Sequence, residues 1–207
     1  MSDPSPGLYL VTPVLTEAEP FLPTLREALA SAAIASLLLR LGPLEGPQAA
    51  RLVRAVAEPA QAKGVALLID GSPALALEAG ADGAHVGGVG APLKDAIERL
   101  SPRYIVGAGA LATRDDAMTA GESGADYVLF GDDAAPLDAP ALLERVAWWA
   151  EIFYTPCVAF ARSLEDVGPL VAAGADFVML GDCVWSDPRG PAAAVADARR
   201  AIAEQGA

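Results

Sequence analysis

Eight short apolar runs recur along the chain, at residues 8–12, 34–41, 65–70, 83–86, 104–107, 127–131, 157–161 and 177–181. Most are continuous rather than alternating, as expected of strands covered on both faces of a parallel sheet. Between them, 21–32, 47–63, 73–79, 92–100, 114–123, 139–153, 164–172 and 191–204 read as helices. Several carry Pro in the first turn, where its missing N–H costs nothing. Others open on a cap residue such as Thr113 or Ser163. Eight strands in strict alternation with helices predict an α/β chain folded as a (β/α)8 TIM barrel. A doubly wound open sheet is the other arrangement with this order.

An internal repeat points the same way. AGADGAHVGG at 79–88 is echoed by SGADYVLFGD at 123–132 and AGADFVMLGD at 173–182. In each copy a helix ends at glycine, at Gly80, Gly124 and Gly174, a position suited to the left-handed residue after a helix. A strand follows, itself closed by glycine. No linker divides the chain, so residues 1–207 read as one barrel domain, with 1–6 as a flexible N-terminal tail.

Composition narrows the function classes. The 207 residues carry 14 Lys+Arg against 27 Asp+Glu, a net charge of −13. That balance does not build a phosphate-tracking stripe, so no nucleic-acid partner is expected. An anionic membrane surface is disfavoured for the same reason. The mean hydropathy of +0.36 comes from runs far shorter than the ~20 residues of a membrane span. The first residues lack the basic and apolar regions of a secretion signal. Cys157 and Cys183 have no metal-site spacing and read as reduced, packed thiols, which places the chain in the cytoplasm.

In a (β/α)8 barrel the chemistry sits at the carboxyl ends of the strands. Those positions hold Arg40 after the second run, Asp70 after the third, His85 in the fourth and Gly109 after the fifth. Asp132 and Asp133 follow the sixth, Arg162 the seventh, and Gly181, Asp182 and Cys183 the eighth. His85 reads as a general base or as a hydrogen-bonded packing residue. Asp70 reads as a ligand for a metal or a substrate hydroxyl, or as a turn residue leading into the Pro73 helix. Asp70, Asp132, Asp133 and Asp182 are turn acids or oxygen ligands for Mg²⁺, with Asp70 and Asp132 the alternative metal positions. The backbone N–H groups of 181–183 with Arg162 could cradle an anion, against the charge of Asp182. Trp148 and Trp149 read as packing residues that would serve a homodimer interface if exposed.

Several of these segments carry a family resemblance. They are LYLVT at 8–12, LLLR at 37–40, LLID at 67–70, GADGAHVG at 80–87, IVG at 105–107, GADYV at 124–128 and AAGAD at 172–176. From about Gly7 to Trp185 the chain resembles the thiamine phosphate synthase family, which includes the related thiazole tautomerases. The resemblance implies a (β/α)8 fold and coupling of a pyrimidine pyrophosphate to a thiazole phosphate, with Mg²⁺ on the pyrophosphate. Position by position, the family's Gln-x-Arg-x-Lys keeps only Arg40. Its magnesium positions are Gly71 and Gly90 here, and its Ser/Thr and His after strand five fall at Gly109-Ala110-Leu111. Its Thr-x-Thr-Lys loop has no counterpart in 131–136, and its glycine pair after strand seven is Ala161-Arg162.

Each lost donor or ligand is worth roughly 3–4 kcal/mol of transition-state stabilisation. The sequence therefore predicts a family member with its scaffold kept, its site degenerate, and coupling weak or absent. Mg²⁺ is required only if coupling is retained. The substrate- or phosphate-contacting candidates are Arg40, Asp70, His85, Gly109, Arg162, Gly181 and Asp182. No residue is assigned a catalytic role. The alternative is a non-catalytic barrel that binds a small ligand, phosphorylated or not, or a protein partner.

Overall fold

The computed structural model describes residues 5–205. Part of the tail expected over 1–6, residues 1–4, lies outside them. The strands are β1 (Gly7–Leu15), β2 (Ser36–Leu41), β3 (Ala66–Asp70), β4 (Gly83–Gly87), β5 (Ile105–Gly109), β6 (Tyr127–Phe130), β7 (Cys157–Ala161) and β8 (Phe177–Leu180). They pair in chain order, all parallel, and β1 closes on β8. The sheet is thus a closed (β/α)8 barrel, and the open-sheet alternative is excluded.

Helices α1 (Leu22–Ser31), α2 (Gly46–Gln61), α3 (Pro73–Ala79), α4 (Ala91–Leu100), α5 (Arg114–Glu122) and α6 (Ala139–Ile152) fill the connections. They are followed by α7 (Val167–Ala172), α8 (Asp182–Trp185) and α9 (Pro191–Gln205). Two departures from the sequence reading have local causes. The segment expected as one helix over 164–172 opens with a 3-10 turn at Leu164–Asp166. Pro169 cannot donate to the carbonyl four residues back, so the first turn tightens. The short α8, absent from the segments that read as helices, is anchored by Trp185, whose Nε1 donates to the Val11 carbonyl at 2.6 Å and whose ring meets Phe21 edge-on. None of the described helices is long and apolar enough to cross a membrane.

The continuous apolar strands divide by alternate residue. Leu8 and Leu10 face the helices with Leu37 and Leu39, in the larger core between sheet and helical layer. Tyr9 and Val11 face inward, where they meet Leu38, Leu68, Tyr127, Leu129, Val158 and Met179. Both faces are dry, which is why the strands read as unbroken hydrophobic runs.

The repeat has a structural meaning. Gly80, Gly124 and Gly174 take φ of 77°, 93° and 98°, the left-handed region expected of them. Each following aspartate then grips one residue near the start of the preceding strand. Asp82 accepts the Leu67 N–H at 2.7 Å, Asp126 that of Val106 at 2.8 Å, and Asp176 that of Cys157 at 2.8 Å. The backbone N–H of each aspartate returns a bond to the same residue's carbonyl. These clasps lie at the amino ends of the strands, where residues serve stability rather than chemistry. Asp126→Ala orphans the Val106 N–H and is expected to cost about 1–3 kcal/mol in urea unfolding. Its circular dichroism should stay that of the parent.

Candidate functional site

At the carboxyl ends of the strands the barrel opens into a pocket of about 170 Å³. Its apolar lining includes Val11, Leu38, Leu129, Met179 and Phe160. Its polar lining is Arg40, Asp70, His85, Asp132 and Asp133, one cation against three carboxylates. Pockets for drug-sized ligands run roughly 300–1,000 Å³, so this one admits a small molecule or one end of a larger one.

The two strand-end arginines are joined. Arg40 extends from β2, with Nε donating to the Thr12 carbonyl at 3.0 Å and Nη1 standing 3.7 Å from Asp133. Arg162, just past β7, donates from Nη1 to Asp133 at 3.3 Å and from Nη2 to the Gly131 carbonyl at 3.5 Å. Asp133 thus sits between both guanidinium groups, and its side chain is 62% exposed. Arg162 therefore turns to the loop after β6. It also borders a second hollow of about 250 Å³ lined by Leu137, Leu142, Leu143 and Leu170. Gly181 and Asp182 line neither cavity: Gly181 precedes α8, and Asp182 is exposed at its start.

Asp132 is committed to backbone. Its Oδ2 accepts the Ala110 N–H at 2.6 Å, and its Oδ1 accepts those of Ala134 and Ala135 at 3.1 and 2.8 Å. These bonds tie the end of β5 to the loop after β6. They also hold Ala110 at φ 53°, a conformation that costs a non-glycine residue roughly 1–3 kcal/mol. Asp70 lines the mouth from the end of β3. The cap of α3 is Ser72 instead, whose Oγ accepts the Leu75 N–H at 3.3 Å.

His85 is 5% exposed and meets the pocket by one edge. Its Nδ1 lies 2.9 Å from the Tyr127 hydroxyl, which lies 2.9 Å from that of Tyr9. Glycines make the room. A Cβ on Gly107 would run into the Tyr127 ring, and one on Gly109 would run into His85 Nε2 and, at 2.6 Å, into Asp132 Oδ2. Sequence reasoning missed both tyrosines. The usable signal was the pair Gly107 and Gly109, two apart on one strand and so on the same inward face.

The residues present do not fit a magnesium ion. Mg²⁺ takes oxygen ligands in near-ideal octahedral geometry. Gly71 and Gly90 offer no carboxylate, Asp132 already accepts three N–H groups, and Asp133 is held by two arginines, which leaves Asp70 as the one uncommitted carboxylate of the mouth. Among the described residues no three His, Cys, Asp or Glu side chains are grouped to hold a metal. Cys157 is no nucleophile either, since burial pushes its thiol up to about 12. Trp149 is fully buried, stacked on Phe153, and Trp148 is half-buried beneath Arg114.

Burial pushes the His85 imidazole below its ordinary range, while the charges of Asp70 and Asp132 oppose the shift. An unfolded histidine takes its proton near pH ~6.5. Below that value the unfolded chain binds more protons than the folded one, so stability falls as pH drops toward the folded pKa. His85 is the one histidine. The urea midpoint should therefore hold level above about pH 6.5 and fall from there to pH 5. In His85→Gln that fall should vanish. A level wild-type midpoint across the range would contradict the assignment.

Comparison with known proteins agrees with this scaffold. A sequence profile described as thiamine monophosphate synthase matches residues 8–184. A thiamine-phosphate synthase of Rhodospirillum centenum is 38% identical over 200 residues, covering 94% of this chain and 97% of that protein. A second, from Hyphomonas neptunium, is 41% identical over 202 residues, covering 93% and 91%. The solved structure of a thiamine phosphate pyrophosphorylase from Pyrococcus furiosus superposes with a TM-score of 0.81 over 96% of both chains, at 22% identity. With the match running from β1 into α8, the chain belongs to the thiamine monophosphate synthase family.

Proposed function

We propose that this barrel binds a small singly phosphorylated precursor of thiamine, such as a thiazole phosphate, and has lost most or all of the family's coupling reaction. One observation carries the reading: Arg40 and Arg162 converge on Asp133, an exposed carboxylate between two guanidinium groups. Guanidinium groups recognise carboxylate and phosphate by the same planar geometry. A phosphate monoester can take the place Asp133 holds, with Asp133 swinging into solvent. The remainder of the ligand would lie against Phe160, Leu38 and Met179.

A departing pyrophosphate asks for more. Its charge must be neutralised as it leaves, by metal and cations fixed in advance. Here the mouth offers one free-standing carboxylate, Asp70, and a second, Asp132, that already accepts three backbone N–H groups. Binding without turnover is the chemistry that this arrangement supports. The chain therefore acts in thiamine metabolism as a binding protein for one of its heterocyclic phosphates.

Calorimetric titration with thiazole phosphate should show binding that does not depend on Mg²⁺. Incubation with pyrimidine pyrophosphate, thiazole phosphate and Mg²⁺ at high protein concentration should yield no thiamine phosphate. Magnesium-dependent product would overturn the loss of coupling, and absence of heat would overturn the phosphate site. Asp133→Asn removes the competing charge. Exposed ion pairs contribute about 0.2–1 kcal/mol each, so thiazole phosphate should bind roughly two- to thirtyfold more tightly. Arg40→Ala should weaken it.

A further inference from the structure

The barrel interior holds three polar side chains in a line, Tyr9, Tyr127 and His85, whose arrangement fixes more than packing. We propose that the two tyrosines hold the proton of His85 on Nε2, so that the histidine presents an N–H donor to the mouth and does not serve there as a base. What this donor is used for rests on reading the mouth as a ligand site; the position of the proton does not.

Donors and acceptors must balance along this line. The line contains two hydrogen bonds, Tyr9 Oη to Tyr127 Oη and Tyr127 Oη to His85 Nδ1, each 2.9 Å long. If Tyr127 Oη accepted from both the Tyr9 O–H and Nδ1–H, its own buried proton would have no partner along the line. That leaves two directions. In the first, the Tyr9 O–H donates to Tyr127 Oη and the Tyr127 O–H donates to Nδ1, leaving the imidazole proton on Nε2. Every hydroxyl proton then has an acceptor. In the second, Nδ1–H donates to Tyr127 Oη and the Tyr127 O–H donates to Tyr9 Oη. The Tyr9 proton is then left in a cluster of Val11, Leu38, Leu68, Val158 and Met179, which offers no acceptor stronger than a thioether sulfur.

Tyr9 is 1% exposed, so an unmade bond there is not repaired by bulk water. Leaving a buried donor unsatisfied disfavours the second direction by roughly tenfold or more. A wholly ionised hydroxyl is no escape, because burial pushes both phenols above their ordinary range. The imidazole stays neutral for the same reason, with Asp70 at the end of β3 and Asp132 in the loop after β6 as the charges that face it.

A second observation shows that the line is built in rather than incidental. Gly107 and Gly109, both inward positions of β5, are vacated where the Tyr127 ring and His85 Nε2 pass. The His85 and Tyr127 rings lie nearly parallel, at 15° with centroids 5.6 Å apart, which fixes the imidazole plane. Tyr127 is thus a positioning residue acting through His85. The ligand group that suits this donor is a lone pair, on a ring nitrogen or an oxygen.

The single histidine makes the test direct. The intact protein, labelled with ¹⁵N-histidine, gives one imidazole pattern in long-range ¹H–¹⁵N correlation at pH 7.5. The expected pattern has Nε2 protonated and Nδ1 bearing the lone pair. Tyr9→Phe should keep it, because Tyr127 still donates to Nδ1. Tyr127→Phe should lose it, giving a mixture of tautomers. Protonated Nδ1 in the wild type, or in folded Tyr9→Phe, would overturn the proposal. So would an unchanged pattern in folded Tyr127→Phe. If Tyr127→Phe does not fold, the wild-type and Tyr9→Phe spectra decide alone. Thiazole phosphate added to the wild type should shift Nε2 with little change at Nδ1. Absence of any shift would count against the mouth as its site and leave the proton where the free protein shows it.

Discussion

A closed eight-stranded barrel must fill its own interior, and here the filling is done by a line of hydrogen-bonded rings rather than by aliphatic side chains alone. Tyr9, Tyr127 and His85 reach from β1, β6 and β4 into space that Gly107 and Gly109 leave on β5. Side-chain layers from alternate strands normally close such a barrel. With β5 contributing no bulk at two successive inward positions, the rings of Tyr127 and His85 from the neighbouring strands β6 and β4 take its place. The position of His85 at the mouth, its burial and its hydrogen-bonding all follow from that packing.

The chemistry at the rim depends on two adjacent aspartates with different duties. Asp132 is structural: three backbone N–H groups converge on it, and it holds Ala110 in a strained conformation. Asp133 is electrostatic, standing between Arg40 and Arg162. In an acidic chain these two cations are the strand-end charges able to meet a phosphate, and each is already partnered by the same exposed carboxylate. Such a pair is cheap to separate, since exposed ion pairs contribute about 0.2–1 kcal/mol. In the proposed binding mode one small anion exchanges for Asp133 at this rim, where a departing pyrophosphate would need further fixed charge.

Much of the fold was legible in the order of apolar runs, because strands covered on both faces write themselves as continuous hydrophobic stretches. What that signal hides is which residue of a run faces in. Tyr9 and Tyr127 were invisible for this reason, though glycines two apart on β5 marked where rings would pass. The repeated Gly-Ala-Asp was legible as a pattern but not as a clasp, since its partners Leu67, Val106 and Cys157 lie in the preceding strand. Arg40, Asp70 and His85 could be placed at the rim from strand ends alone. That Arg162 turns to Asp133 rather than toward 181–183, and that Asp132 is spent on backbone, depends on loop conformations that no residue pattern encodes.

In the proposed binding mode one phosphate replaces Asp133 between the two arginines. A crystal structure of the protein with thiazole phosphate tests it most directly. The phosphate should lie within hydrogen-bonding reach of both Arg40 and Arg162, with the Asp133 side chain turned outward. A phosphate held instead by the backbone of Gly181, Asp182 and Cys183, with the Arg40–Asp133–Arg162 bridge intact, would contradict it.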